Sequence, residues 1–129
     1  MPVFDVLRTI REFEREELPF VRTMEDLDIV REIGFHQEAG QPLTLKTLYT
    51  RRIGAPATIQ RRLSQLKKLG VVEQLRIDRD RRSSALHLSP RALKAYDGYL
   101  RLLRRVSRKR PLKRSETTPA GRTRDLERA

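Results

Sequence analysis

Residues 44–82 read TLKTLYTRRIGAPATIQRRLSQLKKLGVVEQLRIDRDRR, and the order of elements in this segment decides the fold. Thr44 stands as a helix cap before a short apolar run of Leu45, Leu48 and Tyr49. Gly54 breaks that helix. Pro56 then suits the first turn of the next one, where its missing N–H has no intrahelical partner to lose. Ile59, Leu63 and Leu66 recur at spacings of four and three, so this second helix buries one stripe. Gly70 stops it where a left-handed residue closes a helix. Val71–Ile77 is rich in β-formers and Ala85–Leu88 alternates, with Leu86 and Leu88 facing one way. The charged run Asp78–Ser84 between them is the expected hairpin loop. Helix, tight turn, basic helix and two-stranded ribbon thus follow in order.

Working outward, Pro2–Leu18 reads as an amphipathic helix with Val3, Leu7, Ile10 and Phe13 along one face, ended by Pro19. Thr23 is the expected cap of a following helix, and Asp26 three positions later makes an acidic variant of the capping box. That helix carries Met24, Leu27, Val30, Ile33 and Gly34 and is expected to end before Gly40. Gln41-Pro42-Leu43 is a short extended connector or a minimal strand. Ser89-Pro90 opens a last helix with Leu93, Tyr96, Leu100 and Leu103 at heptad-like spacing. From Ser107 onward eight basic residues face three acidic ones with little apolar content. Such a segment cannot offset its ordering entropy. The expected organisation is one domain over residues 1–106 and a basic, disordered tail over 107–129.

The chain has 129 residues, 29 Lys+Arg against 17 Asp+Glu, and a formal charge of +12. Such a balance points to a polyanionic partner, because every phosphate contact releases condensed counterions. An anionic membrane would satisfy charge alone. Cysteine is absent, which removes disulfides, thiolate nucleophiles and Cys-based zinc sites together. His36 and His87 are the only histidines and have no metal-ligand spacing. Nothing in the sequence resembles a signal peptide or a membrane span. A cytoplasmic, nucleoid-associated protein with no cofactor, no metal and no membrane partner is expected.

Projected at 100° per residue, Ala57, Thr58, Arg61, Ser64, Gln65 and Lys68 fall opposite the buried stripe of the basic helix. A face that is small and polar near its start lets a helix approach the floor of the major groove. Thr58 and Gln65 suit base edges, and Arg61 can reach guanine O6 and N7. Gln60, Arg62, Lys67 and Lys68 flank the face and suit phosphates, which fix register without reading sequence. At the ribbon tip, Asp78-Arg79-Asp80-Arg81-Arg82 alternates in sign, so the aspartates can hold neighbouring guanidiniums extended. Arg81 is the expected minor-groove residue, with Arg79 and Arg82 near phosphates. The set of expected DNA contacts, with Thr44 added, is Thr44, Ala57, Thr58, Gln60, Arg61, Arg62, Ser64, Gln65, Lys68, Arg79, Arg81 and Arg82. The plainer alternatives are a solvated helix face and, for Arg82 or an aspartate, an internal brace.

These residues carry a resemblance. Leu43-Thr44-Leu45-Lys46-Thr47-Leu48, Ala57-Thr58-Ile59-Gln60-Arg61-Arg62-Leu63, Gly70-Val71-Val72, Asp80-Arg81-Arg82 and Leu86-His87-Leu88-Ser89-Pro90 are similar to the pattern of the MarR family of winged-helix transcription regulators. The resemblance spans about residues 22–105, and the wing followed by Leu-Ser-Pro is its most specific part. Ala92 stands where the family frequently has glycine. The fold class expected is mainly α with a small β-hairpin (α+β), a winged helix-turn-helix with N- and C-terminal dimerisation helices. The resemblance implies sequence-specific binding of double-stranded DNA as a homodimer, with Thr58 and Arg61 at base-contacting positions and Arg81 at the wing position. It also implies a small-molecule effector near the dimer junction, which the sequence leaves unidentified. Val3, Leu7 and Ile10, with Leu93, Tyr96, Tyr99, Leu100, Leu103 and Val106, supply apolar surface for pairing.

The alternative function is a winged-helix architectural or protein-interaction module with nonspecific DNA binding. An enzyme is not expected, because the pattern holds no paired carboxylates, metal-ligand cluster or nucleophile–base arrangement. The tail generates one prediction. Replacing a tail arginine by alanine should weaken binding to every duplex alike and lower the salt slope by about one. Titrations of specific and random DNA at several salt concentrations check this.

Overall fold

The computed structural model describes residues 2–76 and 84–109, with side chains to 107, and these residues form five helices and three strands. In chain order they are α1 (Val3–Glu17), α2 (Met24–Glu38), β1 (Leu43–Thr44), α3 (Leu45–Tyr49), α4 (Pro56–Lys68), β2 (Val72–Arg76), β3 (Ser84–Leu88) and α5 (Pro90–Lys109). The α+β class expected from the sequence is the one found. The ribbon is a three-stranded antiparallel sheet ordered β1-β3-β2, because Leu43 and Thr44 pair with Leu86 and Ala85. The connector before α3 is therefore a minimal strand.

α2 packs on β3, α4 and β1 and carries the centre of the core. Ile29, Val30 and Ile33 are fully buried among Leu43, Leu48, Ile59, Leu66, Val71 and Leu86. Its first turn is the capping box read from the sequence. Thr23 Oγ1 accepts from the Asp26 N–H at 3.0 Å, and Asp26 Oδ2 accepts from the Thr23 N–H at 3.1 Å. A cap of this kind contributes about 1 kcal/mol. The buried face includes one charged residue and leaves one apolar residue out. Met24 is exposed, whereas Asp26 is fully buried in line with Ile29, Val30 and Ile33. Val30 and Ile33 face inward among the apolar residues read from the sequence, and a carboxylate takes the inward position one turn before Val30.

α4 begins at Pro56 and buries Ile59, Leu63 and Leu66, as the spacing predicts. Its end is a Schellman turn: the Val71 N–H reaches Leu66 O and the Gly70 N–H reaches Lys67 O, both at 3.0 Å. Gly70 closes it at φ +75°, where a side chain would be strained. The start of α5 is fixed by Ser89, whose Oγ accepts from the Ala92 N–H and whose own N–H reaches Val71 O.

α1 and α5 pack together as a second layer. Gly98 permits the approach, since a Cβ there would stand 3.2 Å from the Phe13 ring. The ring of Phe13 meets Tyr99 edge-on with centroids 5.2 Å apart. Glu14, nearly buried on α1, accepts from Arg31 of α2 at 2.9 Å and from the Tyr99 hydroxyl of α5 at 3.1 Å. The heptad-spaced Leu93, Leu100 and Leu103 are substantially exposed, and Ala92 and Leu102 take the buried positions of α5. The helix runs to Lys109, past the change of composition at Ser107. Residues 110–129, for which a disordered tail was expected, lie outside the described residues.

Leu66 is wholly enclosed where α4 meets this core. Leu66→Ala should cost about 2–5 kcal/mol of unfolding free energy, read from urea midpoints. A loss below about 1 kcal/mol would mean that the α4 contact with the core is loose.

Candidate nucleic-acid interface

Six of the expected contact residues come together on the outer side of α4. Ala57, Gln60, Arg61, Ser64, Gln65 and Lys68 line one open depression of about 330 Å³. All are exposed except Gln65, which is half-buried, as is Thr58 beside them. None of the polar ones makes a side-chain hydrogen bond or ion pair with another described residue. α4 holds no acidic residue, so its free side is uniformly neutral or basic. A helix side with open donors, small residues near its start and no carboxylate is suited to approach a polyanion closely.

Two expected contacts are engaged elsewhere. Thr44 Oγ1 accepts from the Thr47 N–H at 3.2 Å and donates to Thr47 Oγ1 at 2.9 Å, so its hydroxyl caps α3. Arg62, read from the sequence as a phosphate residue, turns inward. Its Nε reaches Asp26 Oδ1 and its terminal nitrogen reaches Asp26 Oδ2, each at 2.8 Å. The helical projection contains the signal for this. Arg62 and Lys67 lie roughly 70° from the centre of the buried stripe, on its two sides, nearer than the other polar residues of α4. What the sequence could not supply is the buried carboxylate facing it. Arg79, Arg81 and Arg82, expected at the wing tip, lie outside the described residues.

The ribbon that leads to that tip is tied back to α4. Lys67 Nζ donates to Gln74 Oε1 at 2.6 Å, and Gln74 Nε2 donates to Ser84 Oγ at 2.7 Å, so α4, β2 and β3 are linked in series. The last described pair of the ribbon is Arg76 with Ser84. In the turn between α3 and α4, Arg51 Nε binds Glu32 of α2 at 2.8 Å and Arg52 sits exposed at φ +57°. Sequence reasoning passed over both arginines because neither lies on a periodic face. Among the described residues no group of three or more His, Cys, Asp or Glu could hold a metal ion, and no helix is long and apolar enough to cross a membrane.

Searches with protein-family models and against curated proteins find no match. Solved structures do match. The crystal structure of MarR superposes with a TM-score of 0.55 at 22% identity, covering 99% of this chain and 90% of that one. The MepR–DNA complex of S. aureus gives 0.68 at 14% identity, over 89% of this chain and 86% of that chain. Streptococcus pneumoniae FabT in complex with DNA gives 0.55 at 18% identity, over 83% and 69%. The chain has the winged-helix fold of the MarR-family regulators.

In this winged helix the contact between Asp26 and Arg62 shifts the titration of both groups. Burial by itself pushes the Asp26 carboxyl up. The Arg62 hydrogen bonds, the Arg22 and Thr23 N–H groups and the Arg62 charge outweigh it and hold the carboxyl below its usual range. The same contact raises Arg62. A depressed carboxyl contributes stability that is fully present above its unfolded value, near 3.8, and is lost as pH falls through the folded value. The stability advantage of the wild type over Asp26→Asn should therefore be constant from neutral pH down to about 5 and shrink as pH drops below 4. Urea midpoints across that range check it, and an advantage independent of pH would deny the pair its ionised form.

Proposed function

We propose that the chain is a sequence-specific regulator of transcription that binds double-stranded DNA as a homodimer. α4 enters the major groove and Arg81 the flanking minor groove, with Arg79 and Arg82 near phosphates. The observation that carries this reading is the free outer side of α4, where Ala57, Gln60, Arg61, Ser64, Gln65 and Lys68 stand together without protein partners among the described residues. Two proteins with this fold, MepR and FabT, have been solved with DNA, which favours DNA as the partner here. The excess of basic residues supports a polyanionic partner.

The dimer is supported by what α1 and α5 leave exposed. Val3, Phe4 and Leu7 on one helix and Leu93, Leu100 and Leu103 on the other are 41–81% exposed in the single chain. Apolar area on this scale on two adjoining helices favours a second copy. Pairing also brings two α4 helices to one duplex, as a palindromic site requires. Thr58, Gln65 and Arg61 read bases in this scheme, and Gln60 and Lys68 meet phosphates. The reading includes a cytoplasmic location and an effector whose chemistry is open.

Selection of bound sequences from a random duplex pool supplies the site for the test. Arg61→Ala should then weaken binding to that site by about 1–3 kcal/mol and relax preference at one position, with little change on random duplex. Equal losses on both would remove Arg61 from the base-reading set. Failure of the wild type to enrich any sequence would favour the architectural module instead.

A further inference from the structure

Asp26 receives four N–H groups on two oxygens. Arg22 N and Thr23 N reach Oδ2 at 3.0 and 3.1 Å, and the Arg62 fork spans both oxygens at 2.8 Å. The carboxylate is fully buried and the Arg62 side chain is 20% exposed. The apolar contacts of α4 with the core hold the helix in place but are non-directional, so they tolerate small rolls about its axis. A bidentate guanidinium–carboxylate pair does not tolerate them, because both bonds must stay coplanar. A roll of 20° would swing a side-chain tip some 6 Å from the axis by roughly 2 Å. That exceeds the ~0.5 Å tolerance of a precise recognition geometry. Arg61, next in the chain, projects to the opposite side and would feel any such roll in full.

From this we infer that Asp26 and Arg62 are positioning residues for base readout: the buried fork sets the roll of α4 and hence where Arg61 and Gln65 meet the base edges. The inference rests on the DNA-binding reading above and deepens it. It replaces the phosphate role expected for Arg62, and it gives a determinant of specificity to a carboxylate on a different helix that touches no DNA. The same carboxylate closes the cap of α2, so the core helix and the reading helix share one anchor.

The test compares the wild type, Arg62→Lys and Asp26→Asn on the selected site and on random duplex, each over a series of salt concentrations. Lysine keeps the charge but cannot offer the fork. Both variants should lose about tenfold in preference for the selected site, while affinity for random duplex and the salt slope stay at the wild-type level. Global destabilisation alone cannot produce this result, because an unfolded fraction lowers both affinities equally and leaves their ratio unchanged. Should Asp26→Asn fold poorly, Arg62→Lys decides by itself. Full preference retained in Arg62→Lys would overturn the inference. So would tighter binding of Asp26→Asn to both duplexes with a steeper slope, which would mean that a freed Arg62 is a phosphate ligand. A wild type without any preference would overturn the DNA-reading proposal and this inference together. Unchanged variants beside a selective wild type would overturn the positioning role only.

Discussion

A buried carboxylate must be satisfied completely or it becomes the most costly group in a small core. Asp26 meets that condition by collecting donors from three places: the turn after α1, its own helix terminus, and the middle of α4. The start of α2, the path of the chain into it and the middle of α4 are thereby tied together by one group. The apolar cluster around Ile29, Val30 and Ile33 supplies most of the adhesion. Direction comes from the carboxylate, because hydrogen bonds constrain angles and apolar contacts do not.

α2 carries a second polar tie on a different side. Arg31 reaches Glu14 of α1 and the Tyr99 hydroxyl of α5, which joins the two terminal helices to the core helix. Close approach at Gly98 and the Phe13–Tyr99 edge contact pack α1 against α5. One helix therefore contacts both the layer whose apolar residues remain open and the layer whose basic residues remain open. The chain places an apolar surface on α1 and α5 and a polar one on α4.

Much of this arrangement was readable before any coordinates. Thr23, Thr44, Pro56, Gly70 and Ser89 each act through backbone groups within a few residues, so their signals are local and every one of them marks an element boundary in the structure. The stripe of Ile59, Leu63 and Leu66 was readable for the same reason, and with it the outward placing of Arg61, Ser64 and Lys68. The burial of Asp26 was not readable, because apolar periodicity has no way to register a charged group that is inside. The pairing of Arg62 was not readable for the complementary reason: its partner is 36 residues away.

The sequence by itself determined where helices and strands start and stop, which stripe of α4 is buried and how basic its free side is, because these follow from local hydrogen bonding and helical period. Only the tertiary structure decided which arginine of the adjacent pair 61 and 62 has no partner among the described residues, that Leu43 and Thr44 complete a third strand, and that the heptad-spaced leucines of α5 are largely exposed. Those outcomes depend on which distant residue arrives opposite each side chain, and no local rule encodes that.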